Sequence, residues 1–251
     1  MESQVTVLIY TYNNQSHISD CIDSARLISD QIIVVDQNSQ DGTEHIAQQK
    51  KVKLVRVPHH MYVEPVRMHG IAQVKEGWIL ILDADERITK DLAYEIRQKL
   101  SKGSATHYQI PRKNIFAYKT WMAHGGWYPD YQTRLIKRSS IRDWPVKIHS
   151  TPVIDGASGT LVSPMIHYFH GDLSSMVNKT VVYEEIESEL LFNAKRAAST
   201  PIFFRKFLGE LYRRLIKDAG WKDGTLGVIE SMYQAYSKTV TYLFLYEKQK
   251  T

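Results

Sequence analysis

Short apolar, β-branched runs alternate with amphipathic stretches through residues 5–100, and a chain built this way has few folds open to it. Val5–Thr11 (VTVLIYT) is a continuous apolar run, the pattern of a strand buried on both faces. Ser16 precedes Ile18, Cys21, Ile22 and Ala25, spaced i, i+3, i+4, i+7, which predicts a capped amphipathic helix. Gln31–Asp36 (QIIVVD) reads as a second buried strand, QNSQDGT as a loop, Thr43–Lys50 as a helix and Val52–Val57 as a third strand. Pro65–Lys75 suits a helix with proline in its first turn. Trp78–Asp83 (WILILD) is the fourth strand, followed by a helix near Asp91–Leu100 with Leu92, Ile96 and Leu100 on one face. Such alternation predicts an α/β fold, a parallel sheet with helices on both faces.

After residue 104 the pattern changes. ATHYQI, QTRLIKR and GTLVSPMIHYF are short strand-like runs separated by loops containing glycine and proline, and from Ser174 the chain turns helical and aromatic. A mostly parallel sheet that gains antiparallel strands, followed by a helical C-terminal appendage, is the expectation. The 251 residues, 43% of them hydrophobic, suit one large domain or one domain with an appendage. The single cysteine, Cys21, excludes an internal disulfide framework and a cysteine zinc site. The opening MESQVTVLIYTYNN lacks the basic region of a signal peptide, and no run approaches the ~20 apolar residues of a membrane span. A soluble or peripheral protein in a reducing cytoplasm is expected. The net charge of +5 is concentrated in Phe203–Lys222, which is basic and aromatic. Two readings stand there: a solvated helix face, or a surface for an anionic partner such as nucleic acid, anionic lipid or a phosphorylated substrate.

Open α/β sheets bind ligands beyond the carboxyl ends of their strands. Here those ends are Thr11-Tyr12-Asn13, Asp36 and Asp83-Ala84-Asp85, all of them polar or acidic. Two carboxylates at i and i+2 on a turn converge on one hard cation, and Mg²⁺ or Mn²⁺ takes one or two of them and completes its shell with water and phosphate. The other reading of Asp83 and Asp85 is as caps of the following turn. Neither G-x-G-x-x-G after the first strand nor a G-x-x-x-x-G-K-[ST] loop is present, which argues against Rossmann dinucleotide and P-loop sites. Arg87 at the fifth position of the acidic loop excludes an EF-hand. Adjacent His59 and His60 converge poorly on a metal and read as a surface pair.

Five ordered segments carry a resemblance: VTVLIYTYNN; IIVVDQNSQDGT; RMHGIAQVKEGWILILDADER, with Arg67 and Gly70 in register; HGGWYPDYQTRLIKR; and SGTLVSPMIHYFH. The chain resembles the family 2 glycosyltransferases of GT-A fold, and among them the bacterial group that builds lipopolysaccharide core and related surface glycans. Met68 stands where that family usually has Asn, and Ser150 where the related group usually has Glu. The resemblance implies a Rossmann-like, doubly wound GT-A catalytic domain over residues 1–172 and a helical region over 173–251. Within the first, a nucleotide-binding half covers about 1–103 and an acceptor half about 104–172.

It also implies roles. Thr11, Tyr12, Asn13 and Asp36 would line the nucleotide pocket, with Tyr12 on the base or, alternatively, in the core. Arg67 would hold the pyrophosphate with its fixed donor fork. Asp83 would meet ribose or metal, and Asp85 would ligate Mg²⁺ or Mn²⁺. His167 is the candidate late metal ligand or phosphate contact, His149 its rival, and either suits a purely structural histidine as well. Inverting transfer needs a base beside the acceptor hydroxyl. Asp130, after a glycine pair, is that candidate, against a simple Pro-Asp turn. Trp127 and Tyr128 offer faces for sugar stacking or for the core, and Gln132 and Arg134 would meet acceptor or phosphates. The expected partners are a nucleotide sugar, UDP-linked by preference, a glycan or lipid-linked acceptor, and a peripheral contact at the inner face of the membrane, with no nucleic acid. The competing functions are nucleotide-sugar binding without transfer, and a basic nucleic-acid or membrane-binding module.

Overall fold

The computed structural model describes residues 4–117, 119–169 and 173–250. The chain groups into two compact units, one of Met1–Arg112 with Tyr131–His167, the other of Lys113–Asp130 with Tyr168–Thr251.

In the first unit, β1 (Val5–Thr11) lies between two parallel neighbours, β2 (Ile32–Asp36) and β4 (Trp78–Asp83). β3 (Lys53–Arg56) adds parallel to the outer side of β2. The chain thus builds outward from β1 to β3, then returns to place β4 on the opposite side of β1. That reversal is a topological switch point, the place where such sheets open a ligand crevice. β8 (Asp130–Lys137) runs antiparallel to β4, with Leu80 opposite Leu135. The sheet continues through β6 (His107–Phe116) and β12 (Met165–Phe169) to the short β5 (Glu86–Arg87), and β11 (Ser158–Thr160) pairs with β6. β9 (Ile141–Asp143) and β10 (Val153–Ile154) form a separate antiparallel pair.

All seven residues of β1 are buried, as a strand covered on both faces requires. Val5, Val7 and Ile9 join one apolar cluster with Ile18 and Ile22 of α1 (Ile18–Ala25), Ala47 of α2 (Thr43–Gln49), and Leu92 and Ile96 of α4 (Lys90–Lys102). Leu8 and Tyr10 point the other way, to Val66 and Ile71 of α3 (Glu64–Ile71) and to Ile79, Ile81 and Trp144. Each buried aliphatic side chain of this kind contributes roughly 1.5–3 kcal/mol. A one-residue slip of β1 would exchange the two clusters, so packing also fixes the register that aligns the strand ends.

Two helix boundaries depart from expectation. Ser16 is not the cap of α1. The N-cap is His17, which makes no side-chain cap, and the backbone N–H groups of His17 and Ile18 both donate to Asn14 O. The turn closes on main chain, so no hydroxyl is needed. α3 stops at Ile71, four residues short of Lys75, with the Gln73 and Val74 N–H groups bonded in tight turns to Gly70 O and Ile71 O.

In the second unit, β7 (Thr120–Trp121) pairs with the end of β6. α5 (Leu173–Asn193), α6 (Thr200–Leu211), a π-helical segment over Tyr212–Lys217, a 3₁₀ turn over Gly220–Asp223 and α7 (Gly224–Lys248) make up the rest. Gly227 is obligatory in α7: a Cβ there would lie 2.0 Å from Gly220 O. Buried Glu184 of α5 accepts hydrogen bonds from Ser237 Oγ and Thr241 Oγ1 of α7. Among the described residues no helix is long and apolar enough to cross a membrane.

Candidate functional site

Strand register gathers the acidic ends of the first unit. Thr11 pairs with Asp36, and Tyr10 with Asp83. Two loops above them are stitched together. Asn13, in a left-handed conformation at φ 49°, donates its N–H to Ser39 Oγ, and its own Oδ1 accepts from Gln40 N. Asn14 N donates to Thr43 Oγ1, Gln15 N to Asp41 Oδ2, and Gly42 N to Gln15 Oε1. The Ser-Gln-Asp-Gly-Thr segment therefore shapes the Tyr12–Gln15 loop, a role its composition does not announce. Asp36, fully buried, accepts from Ser39 N at 2.8 Å and Ser39 Oγ at 2.5 Å. Burial still raises its pKa above the ordinary carboxylate value, against the pull of those bonds. The Tyr12 ring stacks on His59, centroids 3.8 Å apart, so one of the exposed histidine pair covers a face of the residue expected to meet a base.

Arg67 is 3% exposed. Its guanidinium lies over the Tyr10 ring at 4.6 Å and the Trp144 ring at 5.3 Å, and the Tyr10 hydroxyl donates to Arg67 O. Gly70 allows this approach, because a Cβ there would sit 2.4 Å from Tyr10 Oη. Arg67 Nη2 pairs with Asp83 Oδ1 at 2.8 Å. Its Nε and Nη1, and the hydroxyl of Thr11, are buried without a hydrogen-bond partner among the described residues. Buried donors left in this state are costly and rare. Met68, the first departure from the family pattern, packs against the apolar cluster beneath.

The acidic turn divides its labour. Asp83 Oδ2 and Glu86 Oε1 both lie 2.6 Å from Arg134 Nη2, and Arg112 reaches Glu86 at 3.5 Å. Glu86 Oε2 accepts from Asp83 N. Burial alone would raise the Asp83 pKa; the guanidiniums of Arg134 and Arg67 outweigh it and hold the carboxyl well below the usual range. Arg134, 4% exposed, is engaged inside the protein by these two acids. Arg87 donates to Ala84 O, Glu86 O and His17 O, fixing the turn to the helix-entry loop. Asp85 faces His167 instead, Oδ2 to Nε2 at 3.6 Å, because β12 sets His167 opposite Glu86 on β5. No group of three or more such ligands occurs among the described residues. One carboxylate and one imidazole nevertheless suit Mg²⁺ or Mn²⁺, which draws its remaining ligands from phosphate and water.

His149, with φ 56°, is exposed and donates its backbone N–H to Glu64 Oε1. Ser150 Oγ donates to Pro145 O at 2.5 Å. Gln132 lies half-buried on β8.

In the second unit, Asn114, 1% exposed, donates from Nδ2 to Trp127 O at 2.8 Å and to Asp130 Oδ2 at 3.3 Å. Trp127 packs at a tilt on Phe169, centroids 4.6 Å apart, beneath the Arg214 guanidinium at 5.2 Å, while Tyr128 and Trp121 meet edge to face at 5.5 Å. Gly125 and Gly126 take φ values of 66° and 79°, in the left-handed region where other residues are strained. The loop before Asp130 is tied down from the C-terminal segment: Gly125 N donates to Asp218 O, Arg214 Nη1 to Gly125 O, and His124 N to Asp223 Oδ2. Asn114, Arg112, Asp218 and Asp223 were not singled out by sequence; their partners in these bonds lie far along the chain, and no local spacing marks them.

The sequence profile of glycosyl transferase family 2 matches residues 6–155. An uncharacterised glycosyltransferase of Rickettsia typhi is 30% identical over 105 residues, 42% of this chain and 36% of that relative, so the matched stretch spans about a third of its length. The lipopolysaccharide core biosynthesis glycosyltransferase LpsC of Rhizobium meliloti is 23% identical across 97% of this chain and 92% of its own. TarS of S. aureus superposes with a TM-score of 0.50 at 12% identity, covering 98% of this chain and 91% of the solved one, and TarS has been solved with UDP and with UDP-GlcNAc. The likeness to TarS shows a shared fold: the GT-A sheet with its flanking helices and a helical C-terminal region.

Proposed function

Because this chain belongs to glycosyl transferase family 2, we propose that it is an inverting glycosyltransferase. It moves a sugar from a UDP-sugar to a hydroxyl of a glycan or lipid-linked acceptor, in lipopolysaccharide or related surface-polysaccharide assembly at the inner, cytoplasmic face of the membrane. The observation that carries the reading is the set of buried, unpartnered donors at the switch point, Arg67 Nε and Nη1 and Thr11 Oγ1. They lie where an α/β sheet receives its ligand, and a diphosphate has the acceptor oxygens they lack. The match to LpsC over nearly the whole chain supports the pathway, and the UDP complexes of TarS support the donor base.

In this scheme Asp36 and Asn13 take the nucleoside and Tyr12 its base, once His59 gives up that ring face. Asp83 meets the ribose while holding Arg67 toward the pyrophosphate, and Arg134 locks Asp83 in place. Asp85 and His167 would hold Mg²⁺ or Mn²⁺, which when bound neutralises charge building on the leaving diphosphate. Asp130 accepts the proton of the acceptor hydroxyl as its oxygen bonds to the anomeric carbon. The bond from that carbon to the phosphate oxygen breaks, and the electron pair leaves with the nucleoside diphosphate. Asn114 orients the Asp130 carboxylate through Oδ2. Trp127 and Gln132 are the candidate acceptor contacts.

A second reading, donor binding without transfer, draws on Ser150 in place of the acidic residue of related chains. Thermal shift with UDP-, GDP-, ADP- and CMP-sugars, with and without Mn²⁺, tests donor binding, since a ligand at about 100 times its Kd stabilises by about 2.7 kcal/mol. Release of nucleoside diphosphate separates the two readings. No shift with any donor contradicts both.

A further inference from the structure

α6 and the π-helical segment after it carry two apolar rows at i, i+4 spacing. Phe203, Phe207, Leu211 and Leu215 are half-buried, and Phe203 meets Tyr242 of α7 at 6.3 Å. Phe204, Leu208, Tyr212 and Ile216 form the second row and are 55–63% exposed, with Trp221 of the following 3₁₀ turn at 55%. Neither α6 nor the π-helical segment has a single buried residue. Residues four apart drift by about 40° around a 3.6-residue helix. The wider π turn over Tyr212–Lys217 takes part of that drift back, which keeps Ile216 near the line of Phe204 and Leu208.

The charge on this stretch is sorted. Its acids, Glu210 and Asp218, are half-buried and hold Arg213, and Glu210 also holds Arg214. Arg205, Lys206, Lys217 and Lys222 are exposed, and among the described residues none has a carboxylate within ion-pair distance. Lys222 lies over the Trp221 ring at 5.7 Å. The exposed row therefore combines apolar side chains, two amphipathic rings and uncompensated positive charge. A helix with apolar residues on its outward side, cations beside them and Tyr or Trp at the margin matches the polarity gradient of a lipid headgroup layer.

We propose that the row Phe204, Leu208, Tyr212, Ile216 and Trp221, with Arg205, Lys217 and Lys222, is an interfacial anchor that seats the chain on an anionic lipid bilayer; Lys206 lies instead over the Tyr242 ring of α7, at 5.4 Å. Charge complementarity selects this occupant: each cation near an anionic surface tightens binding about fivefold, and the apolar row adds insertion that a free anion cannot supply. The anchor lies apart in sequence from the residues assigned to transfer. Its test needs neither donor nor acceptor.

The experiment is flotation of the full chain with vesicles of phosphatidylcholine alone or mixed with phosphatidylglycerol. Wild type floats with the anionic vesicles and not with the neutral ones, and high salt weakens the binding. Reversing Arg205, Lys217 and Lys222 to Glu lowers affinity by at least roughly 100-fold. Phe204→Ser with Leu208→Ser and Ile216→Ser lowers it at least roughly tenfold, while Tyr94→Ser, an exposed aromatic on α4, leaves it unchanged. Asp130→Asn floats like wild type, so loss of transfer and loss of anchoring are read separately. Circular dichroism matching wild type shows each variant folded. No flotation of wild type with anionic vesicles overturns the proposal, as does flotation that the row variants do not alter. So does a dimer in light scattering that the Ser variants dissociate while vesicles capture nothing, since the row is then a face for a second copy.

Discussion

Replacing Arg134 by methionine removes the one guanidinium that lies 2.6 Å from both Asp83 and Glu86. Glu86 is fully buried and keeps the Asp83 N–H and Arg112, the latter at 3.5 Å, while Asp83 keeps Arg67 at 2.8 Å. Breaking a buried pair from one side costs about 3–5 kcal/mol, because the other charge stays behind. The surviving arginines put this case at the lower end, about 3 kcal/mol. Arg134→Lys keeps the charge but loses the fork that serves two acids, and costs about 1–2 kcal/mol. The pH dependence has a definite sign. Asp83 is depressed in the folded chain, so its stabilisation is present above the unfolded value of about 3.9 and fades as pH falls toward the lower folded value. In Arg134→Met the largest source of that depression is gone and only the Arg67 and Arg112 contributions remain. The penalty is then full near pH 7 and smaller at about pH 2.5, inside the window where the wild-type stabilisation fades. Urea unfolding of wild type and both variants at the two pH values measures it. A cost below about 1 kcal/mol near pH 7, or one that does not change with pH, refutes the clamp.

Gly70→Ala would place a Cβ 2.4 Å from Tyr10 Oη and 2.8 Å from Val35 Cγ2, which costs about 1–3 kcal/mol and breaks the Tyr10–Arg67 bond; the thermal midpoint and the UDP affinity should both fall. Asp85→Asn should leave the midpoint unchanged and weaken Mn²⁺-supported UDP binding by at least roughly tenfold, since even groups that only support metal ligands cost that much; calorimetry with and without Mn²⁺ reads it, and equal affinity in both proteins removes Asp85 from the metal site.

What could be read from sequence was what is local. The β-branched runs at Val5–Thr11, Ile32–Asp36 and Trp78–Asp83 announce strands because burial on both faces leaves them no polar positions. Their polar ends point to the ligand crevice for the same reason: a carboxylate tolerates the end of such a strand, not its middle. The clamp was not legible. Arg134 sits in a strand pattern 51 residues from Asp83, and nothing nearby distinguishes a buried bridge from a surface contact. The Ser39–Thr43 segment looked like a loop, because its bonds to Asn13, Asn14 and Gln15 depend on two strands lying side by side. His124 meets Asp223 across 99 residues, a pairing only the folded second unit creates. Ser16 misled for the opposite reason: it has the chemistry of a cap, and the main chain of Asn14 had already met the need.

The central claim is that Asp130 is the base of a sugar transfer whose donor site lies at the strand ends. Nucleoside diphosphate release by Asp130→Asn, at saturating donor and a matched acceptor, tests it most directly. Asn keeps the shape of Asp and cannot take the proton, so turnover should fall by roughly 10²–10⁴, or ~3–5 kcal/mol of barrier, at unchanged donor affinity. Turnover within a fewfold of wild type would contradict the account and leave Asp130 as a turn residue.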